Sequence, residues 1–267
     1  MRVWAMSKKK SPVQAYRTIL DDSGNPRYVN RLLVATPTTG LVRIEWVQAR
    51  YGQLIPANWS QVIMMQYLDS FIPLRYQVDD AQNRICEQVV NGEHEWLLLI
   101  EHDVLIPPDA FIRINKYIQS EEYPVVSGLY YTRSRPSEPL VYRGRGTSFY
   151  SDWEMGDKVW VDGVPTGFLL IHAGIIRALW EESEEYNIGN DRCRRVFNTP
   201  RNVWFDPESN QFNTMTGTSD LAWCDRIMKD DIFKKAGWDA YADKEFPFLI
   251  DTKLNCGHID VDGTVYP

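Results

Sequence analysis

The sequence of 267 residues has few of the features that mark several common protein classes. Its four cysteines include no C-x-x-C pair, so neither a zinc ribbon nor a thioredoxin-like site is expected. Free thiols in a reducing compartment are the simplest interpretation, which predicts a cytoplasmic location. No apolar run approaches the roughly 18 residues of a membrane-spanning helix. The lysines at residues 8–10 are not followed by the apolar region of a secretory signal.

Positive charge is also scarce, since 29 Lys and Arg face 36 Asp and Glu, giving a net charge of −7. This balance argues against broad electrostatic binding to nucleic acid and leaves room only for a local basic groove. The sequence has no internal repeat, low-complexity tract or evident linker. Residues 31–267 are therefore predicted to form one domain, preceded at residues 1–30 by either a hairpin or a loose extension.

The sequence does contain a continuous apolar run at residues 96–100, followed by Glu101, His102 and Asp103. An apolar run without alternation predicts a strand that is covered on both faces, as in the centre of an α/β sheet. The carboxyl end of such a strand is where open α/β sheets bind ligands. Two carboxylates separated by one residue on an extended segment suit Mg²⁺ or Mn²⁺, and with them a diphosphate. An acidic turn that only ends the strand is the alternative.

The predicted elements alternate along the chain. Residues 31–40 read as a buried strand that runs into a small-residue loop, and residues 42–51 as the helix that follows. This is the opening of a nucleotide-binding α/β unit, although a simple connection would look the same. Further strands are predicted at 61–67, 124–131 and 246–251, and further helices at 78–90, 108–120, 173–185 and 218–229. Residues 187–217 are predicted to form a long lid or binding loop.

Taken in order, these segments resemble the GT-A fold glycosyltransferases of the family-2 type, whose acid-x-acid metal motif corresponds to Glu101-His102-Asp103. The resemblance covers roughly residues 31–260. It implies a Rossmann-like three-layer α/β/α sandwich with a mostly parallel central sheet. In this family the loop after the first strand and the helix before the metal motif contact the nucleotide donor. The implied donor contacts are Thr36, Pro37, Thr38, Asn83, Arg84, Glu101 and His102, with ordinary helix polarity as the alternative for Arg84.

The same resemblance implies a cation site and a catalytic base. Glu101, Asp103 and the late His258 would hold Mn²⁺ or Mg²⁺, and an imidazole ligand fits Mn²⁺ better. Asp220, near the start of the last long helix, matches the base of inverting members, whereas a simple helix cap is the alternative. The implied sugar and acceptor pocket comprises Thr166, Gly167 and Ser219, where the glycine lets the sugar approach the backbone.

The predicted function is metal-dependent transfer of a sugar from a UDP- or GDP-sugar to an acceptor hydroxyl, with inversion through Asp220. The acceptor could be a glycan, a lipid-linked molecule, a protein or modified nucleic acid. Two alternatives stay open. A non-catalytic protein that binds carbohydrate or nucleotide-sugar would use the many aromatic residues, ten Trp and fourteen Tyr. A sugar-nucleotide nucleotidyltransferase would need a Gly-rich, Lys-containing phosphate loop, and residues 36–40 contain no such loop.

Overall fold

The computed structural model describes residues 16–20, 23–59, 74–144 and 149–267. The strands in these ranges are β1 (Tyr16–Leu20), β2 (Pro26–Asn30), β3 (Leu32–Ala35), β4 (Trp96–Ile100), β5 (Val104–Leu105), β6 (Val125–Leu129), β7 (Lys158–Val161), β8 (Phe168–His172), β9 (Glu185–Ile188), β10 (Asp191–Arg194), β11 (Arg201–Asp206), β12 (Gln211–Thr216), β13 (Phe248–Asn255), β14 (Gly257–Ile259) and β15 (Val265–Tyr266). The helices are α1 (Ile44–Tyr51), α2 (Val78–Asn91), α3 (Ala110–Ser120), α4 (Ala173–Glu182), α5 (Ser219–Lys229), α6 (Ile232–Lys235) and α7 (Asp239–Ala242).

The central sheet has six strands in the order β3-β4-β8-β6-β13-β7. Pairing is parallel between β3 and β4 and between β6 and β13, and antiparallel where β8 or β7 meets a neighbour. Four of the six strands therefore share one direction, which confirms a mixed α/β fold with a mostly parallel central sheet. β8 lies in the middle of the sheet and runs against it.

The core lies on both faces of this sheet. Leu97 and Leu99 of β4 belong to one buried cluster, whereas Leu98 and Ile100 belong to another. Side chains of α2, α4 and α5 complete the first cluster, and side chains of α1 and α3 complete the second. Both faces of β4 are buried, which explains why every residue of this strand is apolar. Each fully buried leucine contributes roughly 1.5–3 kcal/mol to stability.

Several predicted boundaries need correction. The long loop predicted at residues 187–217 is wrong, because this segment forms two antiparallel hairpins, β9-β10 and β11-β12. The helix predicted from residue 108 begins at Ala110, after the two prolines, and the helix predicted to residue 185 ends at Glu182. β1 and β2 pair antiparallel, as the hairpin alternative for the N-terminal residues expected. The strand predicted at 61–67 lies outside the described residues.

A small second sheet positions the C-terminal part of the chain. β14 pairs antiparallel with β5 and with β15, and this pairing sets His258 opposite Val104. The four cysteines are buried and form no disulfide. None of the helices in the described ranges combines the length and apolar character needed to traverse a bilayer.

Candidate functional site

The acidic motif forms a turn directly after β4, and three hydrogen bonds to the Glu101 backbone fix this turn. The Glu101 N–H donates to the Gly167 carbonyl at 2.9 Å. The Glu101 carbonyl accepts from the Val104 N–H at 3.2 Å and from the Trp46 indole N–H at 2.9 Å. The turn follows directly from sequence, since the apolar strand ends at Ile100 and a second short strand begins at Val104. Both acidic side chains are thus fixed at the carboxyl end of β4.

His258 reaches this turn from the far end of the chain. The Ile259 N–H donates to the Asp103 carbonyl at 2.8 Å, which ties β14 to the motif. His258 Nδ1 lies 2.9 Å from the Tyr131 carbonyl oxygen. A carbonyl only accepts, so Nδ1 carries a proton and Nε2 is the ring nitrogen that faces Asp103. That Nε2 lies 3.7 Å from Asp103 Oδ2.

Asp103 also has a cationic neighbour. The Arg133 guanidinium makes a close ion pair with Asp103 Oδ2 and reaches Asp260 Oδ1 at 3.5 Å. The other oxygen, Asp103 Oδ1, is buried and has no hydrogen-bond partner among the described residues. Burial acts to raise the pKa of Asp103, but the His258 ring and the Arg133 charge outweigh it and hold the pKa below its ordinary value. Asp103 is therefore an anion at neutral pH.

The pKa of Glu101 is shifted in the opposite direction from that of Asp103. Burial, and then the neighbouring Asp103 charge, raise its pKa to about 7. Its Oε1 accepts from the Thr166 hydroxyl at 3.1 Å, and that hydroxyl accepts from the Gln82 amide at 3.2 Å. Near neutral pH Glu101 is therefore only partly ionised beside the charged Asp103.

Asp220 lies in the first turn of α5, on the side of the 163–167 segment. Val164 N–H donates to Cys224 Sγ at 3.4 Å, which packs the helix against that segment. The N-cap is Thr218, so Asp220 is not the cap itself; its carboxylate accepts from the adjacent Leu221 N–H at 2.8 Å and from the Thr218 side chain. Burial raises the pKa of Asp220. Its charge also contributes to the raised pKa of Glu101.

A cavity of about 300 Å³ opens beside the acidic motif. Four of the predicted donor residues line it, and Thr36 is buried outside the cavity lining. Another cavity of about 300 Å³, around Tyr117 and Asp251, contains none of the predicted site residues. The first cavity is lined by Pro37, Thr38, Thr39, Tyr76, Gln77, Val78, Ala81, Glu101, His102, Asp103 and Arg133.

Two predicted donor contacts have other partners. Asn83 is buried, and its amide binds the Tyr186 hydroxyl at 2.9 Å and both backbone groups of Phe197. Arg84 pairs with Glu87 at 2.5 Å and Asp191 at 3.8 Å. Neither residue lines the cavity, so their donor contact stays a prediction. Their observed contacts instead attach α2 to the segment that carries β9 and β10.

The packing of neighbouring side chains requires a glycine at residue 167. A Cβ at this position would lie 2.5 Å from the Tyr130 hydroxyl oxygen and 2.8 Å from Val104 Cγ2. The Gly167 N–H donates to that hydroxyl at 2.6 Å. Tyr130 and Trp46 were missed as parts of this site, because both read in the sequence as ordinary apolar core residues. Ser219, predicted in the acceptor pocket, is buried at the start of α5.

The fit of a divalent cation rests on Asp103 and His258. In the described ranges no group of three or more His, Cys, Asp or Glu side chains has a metal-holding arrangement. Two ligands at roughly 2.1 Å from one ion lie at most about 4.2 Å apart, and the observed separation of 3.7 Å falls within that limit. An Nδ1–H that donates to a backbone carbonyl is the usual support of a metal-binding histidine. Mg²⁺ commonly takes its remaining ligands from water and substrate phosphates, so two protein ligands fit.

Comparisons with known proteins give limited further information. No family model matches the sequence, and no curated protein matches it. Among solved structures the chain is similar to A197 from STIV, with a TM-score of 0.48 and 15% identity over 88% of this chain and 93% of that chain. It is also similar to TarS of S. aureus, with a TM-score of 0.35 and 10% identity over 56% of this chain and 29% of TarS. Because both TM-scores are below 0.5, we rest no conclusion about activity on these similarities.

Proposed function

We propose that this protein is a metal-dependent glycosyltransferase of the GT-A type, with the three-layer α/β/α arrangement of that fold. Its donor would be a nucleotide-diphosphate sugar, UDP- or GDP-linked, and its acceptor a hydroxyl group. One observation carries the proposal. Asp103, which lines a cavity of about 300 Å³, lies 3.7 Å from His258, a residue distant in the sequence. The cavity lies at the carboxyl end of a buried strand, where α/β sheets bind ligands.

The donor would be held between the loop at residues 36–39 and the acidic motif. Thr38 Oγ1 accepts from the Gly40 N–H at 3.1 Å, and His102 Nδ1 lies 3.2 Å from the Pro37 carbonyl oxygen, so the loop contacts the acidic motif. Asp103 and His258 would hold Mn²⁺ or Mg²⁺, with Glu101 as a further carboxylate. When bound, such a cation neutralises charge that builds on the departing diphosphate. Arg133 would then leave Asp103 and pair with diphosphate oxygens, for which its planar group is suited.

Asp220 would take the proton of the attacking hydroxyl. Its raised pKa favours this role, because a general base works best when its pKa approaches the working pH. The anomeric carbon passes through an oxocarbenium-like state, as in glycoside hydrolysis. Attack on the face opposite the diphosphate gives inversion. Anomeric NMR of the product checks this step, since a product that keeps the donor's configuration would exclude Asp220 as the base of a direct displacement.

A panel of UDP- and GDP-sugars, tested by thermal shift with and without Mn²⁺, examines the proposal as a whole. A donor that binds the native protein raises the melting temperature, and we expect the rise only with Mn²⁺ present. Release of free sugar or nucleoside diphosphate from the same donor then separates an enzyme from a binding protein. Binding without turnover would favour the non-catalytic alternative. Pyrophosphate release from a nucleoside triphosphate and a sugar phosphate would favour the nucleotidyltransferase.

A further inference from the structure

The hairpin of β11 and β12 exposes apolar side chains without a covering partner in the described residues. Its register pairs Arg201 with Thr216 and Asp206 with Gln211. None of its side chains belongs to either buried cluster of the sheet. The exposed fractions are 59% for Val203, 47% for Trp204, 47% for Phe205, 75% for Phe212 and 61% for Met215.

The apolar residues occupy both faces of the hairpin. Phe205 and Phe212 are cross-strand partners, and their ring centroids lie 5.3 Å apart on one face. Trp204 points to the opposite face, because successive side chains of a strand alternate. An aromatic pair and an indole on the two faces of one exposed hairpin are not explained by core packing.

The base of the hairpin lies beside the candidate site. Gly217 N–H donates to the Pro200 carbonyl at 2.8 Å and closes the hairpin. Thr199 N–H donates to Asp79 Oδ2 at 2.9 Å, and Asp79 is in the first turn of α2, next to the cavity-lining Val78. On the other strand the chain passes directly into α5 and Asp220. The hairpin therefore begins between the cavity rim and the proposed base.

The polar groups of the hairpin are almost all uncharged. Residues 201–216 contain one basic residue, Arg201, and two acidic residues, Asp206 and Glu208. Asp206 is used within the turn, where it accepts from the Ser209 hydroxyl at 2.6 Å and the Glu208 N–H at 3.0 Å. The remaining polar side chains are amides and hydroxyls: Asn202, Ser209, Asn210, Gln211, Asn213, Thr214 and Thr216. Such a surface does not complement a charged polymer.

We propose that the β11-β12 hairpin binds the acceptor, and that the acceptor is an uncharged oligosaccharide. Aromatic rings carry a negative face, which attracts the C–H groups on the flat side of a sugar ring. Amide and hydroxyl side chains between the rings match sugar hydroxyls. Phe205 and Phe212, which share one face of the hairpin, would contact sugar units beyond the one that receives the new bond. The role as acceptor site rests on the proposed glycosyl transfer, whereas the binding itself does not.

Binding to a printed panel of neutral and charged glycans, followed by calorimetry with the strongest neutral ligand, tests this directly. We expect neutral oligosaccharides to bind the wild-type protein and the double variant Phe205→Ala/Phe212→Ala to bind at least tenfold more weakly. Met155→Ala removes another exposed apolar side chain, 59% exposed, and should bind as wild type. The variant Phe205→Tyr/Phe212→Tyr keeps the rings and should retain binding, which a merely structural role would not require.

Three results would overturn the proposal. One is absence of neutral-glycan binding on the panel. Another is equal binding by the wild type and the double alanine variant. The third is a wild-type dimer in sedimentation that the double variant dissolves, because the hairpin would then contact a second copy. Donor hydrolysis without added acceptor keeps the two proposals apart. Hydrolysis without glycan binding defeats only the acceptor site. Glycan binding without hydrolysis or transfer defeats the transferase and with it the acceptor role, but leaves the glycan binding itself.

Discussion

His258 Nε2 lies 3.7 Å from Asp103 Oδ2, in a contact between two residues far apart in the sequence. The contact exists because β14 pairs with β5, the strand that starts immediately after Asp103. The Tyr131 carbonyl accepts the Nδ1 proton, so Nε2 is the ring nitrogen that faces the carboxylate. A proton or a metal cation between the Asp103 carboxylate and His258 Nε2 stabilises this arrangement. The residues around the two side chains lead to four predictions.

The first prediction concerns Glu101 and pH. Its folded-state pKa of about 7 lies above the ordinary 4.5, so its contribution to stability is complete below pH 4.5 and is lost as pH rises through about 7. Glu101→Gln removes this titration and keeps an acceptor for Thr166. Without added metal, the variant should be more stable than wild type at pH 8 by up to about 3 kcal/mol, and by much less at pH 5.

Chemical unfolding at the two pH values measures this difference. Glu208→Gln, a change in an exposed turn, serves as the control and should show no such dependence. An equal effect of Glu101→Gln at pH 5 and pH 8 would show that the Glu101 carboxyl does not titrate in this range.

Loss of the Arg133 charge should strengthen metal binding and weaken donor binding. Arg133→Gln removes the cation that now neutralises Asp103, so Mn²⁺ should bind the donor-free protein about tenfold more tightly, which corresponds to roughly 1.4 kcal/mol. The same change should weaken donor binding by about tenfold, because a charge-assisted bond to the diphosphate is lost.

Electron paramagnetic resonance of free Mn²⁺ and calorimetry with the donor measure the two affinities. Arg192→Gln, whose side chain is 82% exposed, is the matched control and should change neither. A loss of Mn²⁺ affinity in Arg133→Gln would contradict the competition between the guanidinium and the metal.

Gly167→Ala should destabilise the fold by about 1–3 kcal/mol, since the new Cβ would meet the Tyr130 hydroxyl at 2.5 Å. Tyr130→Phe removes that oxygen together with its bond from the Gly167 N–H. The double variant should therefore lose less stability than the sum of the two single changes. Urea unfolding of the four proteins gives the coupling energy, and strict additivity would mean that Val104 alone limits the space.

Asp220→Asn should lower kcat for transfer by about 10²–10⁴-fold while donor affinity stays unchanged, because only the proton acceptor is removed. The asparagine oxygen can still accept from the Leu221 N–H. Asp225→Asn makes the same chemical change in the same helix at a side chain that pairs with Lys229, and it should keep its activity. Equal loss in both variants would point to damage of α5 rather than to a missing base.

The sequence was most informative where the local pattern alone determines structure. The run at 96–100 predicted a buried central strand, and the acidic residues after it predicted the position of the turn, because both depend on neighbouring residues. The direction of β8 could not be predicted, since it depends on how distant strands cross over. The hairpins within 187–217 were missed because β11 and β12 are exposed on both faces, so they lack the alternation of polar and apolar residues that marks a half-buried strand.

Candidate site residues could be recognised in the sequence where their side-chain chemistry is specific. Contacts that depend on the three-dimensional arrangement of distant residues could not be recognised. The resemblance, through the order of segments along the chain, predicted that Asp103 and His258 lie close together, and they lie 3.7 Å apart, whereas their role as metal ligands stays a prediction. Gly167 was expected to admit a sugar, yet its backbone is approached by Tyr130, a contact that no local pattern encodes. Asn83 was expected at the donor, but its amide is used by the Phe197 backbone.

The most direct test of the account is a Mn²⁺ titration, followed by the paramagnetic resonance of the free ion, in the presence of UDP or GDP. Wild type should bind one Mn²⁺, and both Asp103→Asn and His258→Gln should weaken that binding by at least about tenfold while the melting temperature shows a folded protein. Unchanged Mn²⁺ affinity in both variants would contradict the central claim that these two side chains hold one ion.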